Sequence, residues 1–223
     1  MKQIPSDKYN VAWFTLAECV SRGEKVRAMS LYRLLAHSIK DSAFTCQLKG
    51  DLLLAFRDTT AIELYEEAAE IYIKDKRFLE AIGVYEHLLT LEPENYRYIK
   101  ALVKLYKTLK IDSKSDAYLQ LLFQKLSISQ ESKTVGDIID QVEEACEFGP
   151  RSIAKKFILY LLEQNVPLQD YMVELGKKVV EALAQGEHNE ELQKFLSQIE
   201  ALNDEYYLNL YDHVEHVGGS KES

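Results

Sequence analysis

Apolar residues in this 223-residue chain recur three or four positions apart almost from end to end, which is the spacing of one helix face. No segment sustains a period of two, and no Asn-Gly or Asp-Gly hairpin turn occurs. Breakers are scarce, at 9 Gly and 4 Pro, so connections must be short and helices favoured. The pattern predicts helices near 8–22, 24–39, 42–57, 60–75, 77–90, 95–110, 115–128, 133–148, 151–165, 168–185 and a long one near 189–216. Gly23, Pro93, Gly149-Pro150, Pro167 and Gly186 fall at the expected ends. The expectation is an all-α chain.

Short helices with short links invite a search for internal similarity. Residues 62–95 answer it with Tyr65-x2-Ala68-Ala69-x2-Tyr72, then Ala81-x3-Tyr85, then Pro93. That order of large, small and aromatic positions closed by a proline resembles the tetratricopeptide repeat, departing from it by Ala for Leu and Ala for Gly in the first helix. The resemblance implies an α-solenoid of antiparallel helix pairs. Ala69 and Ala81 would sit where two helices approach most closely, and Tyr65, Tyr72 and Tyr85 would fill the gaps beside them. Weaker copies flank the unit. Upstream, Trp13-x2-Leu16-Ala17-x2-Val20 leads to Ala28-x3-Tyr32, and downstream Ile99-x2-Leu102-Val103-x2-Tyr106 leads to Ala117-x3-Leu121. A second register is also legible, with Gly50 and Leu53 on one helix and Ala61-x3-Tyr65-x2-Ala68 on the next. The register before Tyr65 is therefore open.

The expected organisation is tetratricopeptide-like repeats over 1–128, degenerate helix pairs over 129–186, a long helix over 187–217 and a disordered polar tail at 218–223. Ile153, Phe157, Ile158, Leu161 and Leu162 make the helix near 151–165 apolar nearly all round, as befits a buried helix. On the last helix, Leu192, Phe195, Leu196, Ile199, Leu202, Tyr206, Leu210, Val214 and Val217 keep a three-four spacing. That stripe reads either as the C-terminal helical cap that solenoids require or as a homodimer seam.

Motifs for chemistry are missing. There is no Gly-rich phosphate loop, no Gly-x-Ser-x-Gly elbow and no His-Glu-x-x-His helix, so no enzyme and no cofactor is expected. His213 and His216 share a face, but a pair at an acidic helix end reads as a solvated surface, and no metal is expected. Cys19, Cys46 and Cys146 are far apart and odd in number, which points to buried thiols in a reducing compartment. The polar start lacks a signal-peptide core and no apolar run is long enough to span a bilayer, so a cytoplasmic protein is expected.

Charge points to the partner. The net charge of −9 disfavours nucleic acid. Residues 1–111 hold 17 Lys and Arg against 15 Asp and Glu, whereas 112–223 hold 10 against 21. Arg97, Lys100, Lys104 and Lys107 line one face of the helix near 95–110, and Glu63, Glu66 and Glu70 line a face of the helix near 60–75. The family resemblance implies a concave groove lined by such first helices. These residues are then the candidate groove for a peptide or helix of mixed charge from another protein. The competing readings are two solvated faces, or an apolar small-molecule or lipid pocket within 133–186.

Overall fold

The helical period is realised in every regular element of the computed structural model, which describes residues 6–128, 132–146, 151–185 and 189–219. Two compact units form, residues 1–105 and 106–223. The first holds α1 (Ser6–Ser21), α2 (Lys25–Ala36), α3 (Ser42–Ala55), α4 (Ala61–Lys74), α5 (Phe78–Leu91) and most of α6 (Tyr96–Thr108). The second holds α7 (Asp112–Ile128), α8 (Ser132–Cys146), α9 (Ser152–Glu163), α10 (Asp170–Gln185), α11 (Asn189–Leu202) and α12 (Asp204–Gly219). None of these helices is long and apolar enough to cross a membrane.

Consecutive helices pack on one another: α1 through α5 in the first unit, α8 through α12 in the second. Leu16, Cys19, Ala28, Tyr32, Leu35 and Leu52 form the core between α1, α2 and α3, with Trp13 half-buried against it. On α4, Ala61, Tyr65, Ala68, Ala69 and Tyr72 are all buried, a 4-3-1-3 spacing that gives one continuous face. Tyr65 of this helix touches the helices on both sides of it. The Tyr65 hydroxyl donates to Asp51 Oδ1 on α3 at 2.6 Å, while its ring meets His87 of α5 edge-on at 5.0 Å.

In the weaker copies Leu16, Ala28, Tyr32, Ile99, Leu102, Val103 and Tyr106 are buried as expected, but two small positions are not. Ala17 and Ala117 are exposed. On α7 the buried face is instead Ser115, Leu119, Leu122, Phe123 and Leu126, so the helix is rotated relative to the one that Ala117 and Leu121 would define.

Five helices end alike. Gly23, Arg57, Lys76, Lys110 and Asn165 each take a positive φ of 53–74° just past a helix. At α4, Lys76 N–H donates to Ile73 O at 3.0 Å and Arg77 N–H to Tyr72 O at 2.8 Å, the paired bonds of a Schellman cap. The same pair closes the other four ends. A side chain in this conformation costs about 1 kcal/mol or more, and the two captured carbonyls offset it.

Tertiary contacts reinforce the beginnings of two helices, α3 and α9. Asp41 caps α3 by accepting from Phe44 N–H at 3.0 Å, and Arg77 Nη1 donates to the same carboxylate at 2.6 Å. That guanidinium also lies 4.5 Å over the Tyr72 ring, tying α3, α4 and α5 together. In the second unit Arg151 precedes α9 in the left-handed region and offers no side-chain cap. Glu143 of α8 supplies it, accepting from Ile153 N–H at 2.8 Å and Ala154 N–H at 3.0 Å. Burial pushes the Glu143 carboxyl up, against the pull of those two N–H groups and Arg151.

Lys25 Nζ donates to Asp58 Oδ2 at 2.7 Å and joins α2 to the α3–α4 link. With Thr60 as a further donor, this bond draws the Asp58 carboxyl down to about 2. A free Asp titrates near about 3.9, so the stabilisation is complete above about pH 4 and is lost as pH falls through about 2. Lys25→Met is expected to lower the urea midpoint at neutral pH, with the gap to wild type closing between about pH 4 and 2. A gap independent of pH would remove Asp58 from the account.

One expected element is corrected. The long helix near 189–216 is two helices broken at Asn203. Asn203 Oδ1 accepts from Tyr206 N–H at 2.8 Å, and Asp204 and Glu205 occupy the positive first turn of α12. The chain therefore folds back, and α12 packs on both α10 and α11. Leu192, Phe195, Leu196, Ile199, Tyr206 and Leu210 are buried within this unit, while Leu202 at the break is exposed. Residues 218–219 close α12. The rest of the expected tail, the Gly149-Pro150 and Gly186 signals, and the side chains of Cys146, His216 and Val217 lie outside the described residues.

Candidate functional site

A partner surface needs side chains that the core does not consume. On α4 the buried face leaves Glu63 and Glu70 exposed and Glu66 half-buried. On α6 the apolar stripe of Tyr98, Ile99, Leu102, Val103 and Tyr106 is buried, so the opposite stripe turns outward. Arg97, Lys104 and Lys107 are exposed there and Lys100 is half-buried. Asn95 begins the helix by accepting from Arg97 N–H at 3.1 Å.

The acidic and basic faces meet at one point. Arg97 Nη1 lies 3.9 Å from Glu66 Oε1, with its side chain 76% exposed. Such a solvated pair contributes about 0–1 kcal/mol and is readily exchanged. Lys107 Nζ donates to Asp112 Oδ1 at 2.9 Å, so part of the basic stripe is engaged within the chain. Tyr85 is only half-buried; burial and the nearby Glu70 and Glu66 carboxylates push its hydroxyl up, while Arg97 pulls it down. Its ring lies 6.2 Å from that of Tyr98.

Tyr98 and Glu92 belong to this surface and were not singled out in the sequence. The buried Tyr98 hydroxyl lies 3.0 Å from Glu66 Oε1 and 3.0 Å from Glu92 Oε2. Burial, then those two carboxylates, push it well above the usual phenol range. A signal was present: Tyr98 falls on the apolar stripe one turn before Leu102, and a buried tyrosine must find a partner for its hydroxyl.

The residues expected to pack the repeat divide in the same way. Tyr65, Ala68, Ala69, Tyr72 and Ala81 are buried, whereas Tyr85 is half-buried and Pro93 exposed. Tyr72 donates to Gln47 of α3 at 3.0 Å, toward the preceding helix.

Elsewhere, reactive groups are engaged in packing. The Cys46 thiol donates to Leu64 O at 3.4 Å and is pushed up to about 12, mainly by burial, which suppresses its nucleophilic form. His213 Nε2 lies 2.7 Å from Glu181 of α10. Among the described residues no three His, Cys, Asp or Glu side chains gather as metal ligands. Between α8 and α10 an open cleft of about 430 Å³ carries Asp137, Asp170, Glu174 and Lys178 on its walls beside Tyr171 and Leu175, so charged groups rim a largely apolar lining. No protein-family model matches this chain, and no curated protein matches its sequence.

Proposed function

We propose that this chain is a non-enzymatic, cytoplasmic interaction scaffold, a tetratricopeptide-like α-solenoid that needs no cofactor and binds a segment of another protein. The carrying observation is the meeting of the Glu63, Glu66 and Glu70 face with the Arg97, Lys100, Lys104 and Lys107 face beside half-buried Tyr85. A partner segment of mixed charge would lay its acidic part over the α6 cations and its basic part over the α4 carboxylates. It would replace the long contact between half-buried Glu66 and exposed Arg97 at little cost. The lipid-pocket reading has less support, because α9 buries Ile153, Phe157, Ile158, Leu161 and Leu162 in packed core and the open cleft between α8 and α10 carries four charged side chains.

The test is comparative crosslinking and mass spectrometry in the native cell. Lys100→Glu with Lys104→Glu is expected to cut recovery of the wild-type partner by about tenfold or more, since like charges across an interface cost several kcal/mol. The helical circular dichroism should not change. An unaltered partner profile from a folded double variant would sink the reading.

A further inference from the structure

In the second unit, α7 and α9 leave an open cleft of about 340 Å³ between them, within the size range of side-chain and ligand pockets. Its floor is apolar. Leu119 and Phe123 come from α7, and Leu159 and Tyr160 from α9. The Phe123 ring is held 5.1 Å from that of Phe157 and 5.8 Å from that of Tyr160, so the aromatic wall is anchored in the core. Leu119 and Phe123 are buried, while Leu159 and Tyr160 remain half-buried and accessible.

The rim is charged. Asp116 and Gln120 stand on the α7 side, Lys156 and Glu163 on the α9 side. Lys156 Nζ reaches Asp116 Oδ1 across the opening at 3.1 Å, with the two side chains 48% and 55% exposed. A pair that solvated contributes little and gives way cheaply to an incoming charge. Carboxylates outnumber cations on the rim, and residues 106–223 carry 21 Asp and Glu against 12 Lys and Arg. A second copy of this chain would bring the same acidity, and nucleic acid would be repelled.

We propose that the α7–α9 cleft docks a basic amphipathic segment of another protein. The segment seats one large apolar side chain on Phe123 and Tyr160, and its lysines or arginines pair with Asp116 and Glu163. This site is separate from the α4 and α6 faces and stands or falls without them.

The test uses the full chain and an array of short lysine-rich helical peptides that vary one apolar position. Peptides with a large apolar residue there are expected to bind, measured by fluorescence anisotropy. Alanine at that position should weaken binding by about tenfold or more, and glutamates in place of the lysines should abolish it. Gln120→Trp fills the cleft from an exposed helix position and should remove binding while helical circular dichroism is retained. Glu163→Lys, on the open rim, should weaken the basic peptides. The proposal is overturned if no peptide in the array binds, if alanine binds equally well, or if Gln120→Trp leaves binding unchanged. It is equally overturned if the wild type sediments as a dimer that Gln120→Trp dissociates, which would make a second copy the occupant.

Discussion

Gly176→Ala is expected to destabilise the second unit, although glycine to alanine within a helix ordinarily gains up to about 1 kcal/mol. Gly176 lies inside α10, and a Cβ placed there would overlap the Tyr206 hydroxyl and come within 2.9 Å of Leu210 Cδ2. The tyrosine cannot retreat cheaply. It is fully buried, and its hydroxyl donates to Met172 O at 2.5 Å, one turn earlier on the same helix. Overpacking of about 1–3 kcal/mol, together with a lost buried hydrogen bond of about 1 kcal/mol, outweighs the helix gain, and a net loss of about 2 kcal/mol is expected in urea unfolding. In a Tyr206→Phe background the worst overlap is gone, so the alanine should cost less. A double-mutant cycle should then show a coupling of about 1 kcal/mol or more. Additive effects would mean that the hydroxyl is not what excludes the methyl group.

Tyr65→Ala should have the larger effect, a loss of about 3–5 kcal/mol from the first unit, as for other buried aromatic truncations. Tyr65 is 1% exposed and touches helices on both sides of its own. Toward α3 its ring is so close to Gly50 that a Cβ there would stand 3.1–3.3 Å away, and its hydroxyl donates to Asp51. Toward α5 it meets His87. Against a usual domain stability of about 5–15 kcal/mol, that loss is enough to populate the unfolded state. Tyr65→Phe keeps the packing and should cost only about 1 kcal/mol for the hydrogen bond. If Tyr65→Ala and Tyr65→Phe lowered the urea midpoint equally, the ring would carry no packing role. Each unit thus uses the same device, a glycine on one helix that admits the tyrosine of another.

How much was legible varies from element to element. Of the seven residues that the tetratricopeptide resemblance implied as packing positions, Tyr65, Ala68, Ala69, Tyr72 and Ala81 are buried, as a helix face of fixed period allows, whereas Tyr85 is half-buried and Pro93 exposed. Four of the five left-handed helix ends were invisible to a search for glycine, since Arg57, Lys76, Lys110 and Asn165 occupy them. The break at Asn203 was missed for a different reason. Leu202 and Tyr206 keep the four-residue spacing across it, so the apolar period runs on while the cap and its acidic first turn stop the helix. On the candidate surface, the acidic and basic stripes followed from spacing, but Tyr98 between Glu66 and Glu92 did not.

By itself the sequence determined that the chain is helical and, on helices such as α4 and α6, which face leaves water, though not on α7. Both are local consequences of hydrophobic residues at a 3.6-residue period. Only the tertiary structure decided which helix each face meets and which polar groups become partners. Arg77 reaches an α3 cap that lies 36 residues away, and Glu143 caps α9 from α8. Tyr206 closes onto Gly176, and Arg97 finds Glu66. Such contacts depend on how whole helices are set against one another, and period and propensity along one segment carry no information about that distance.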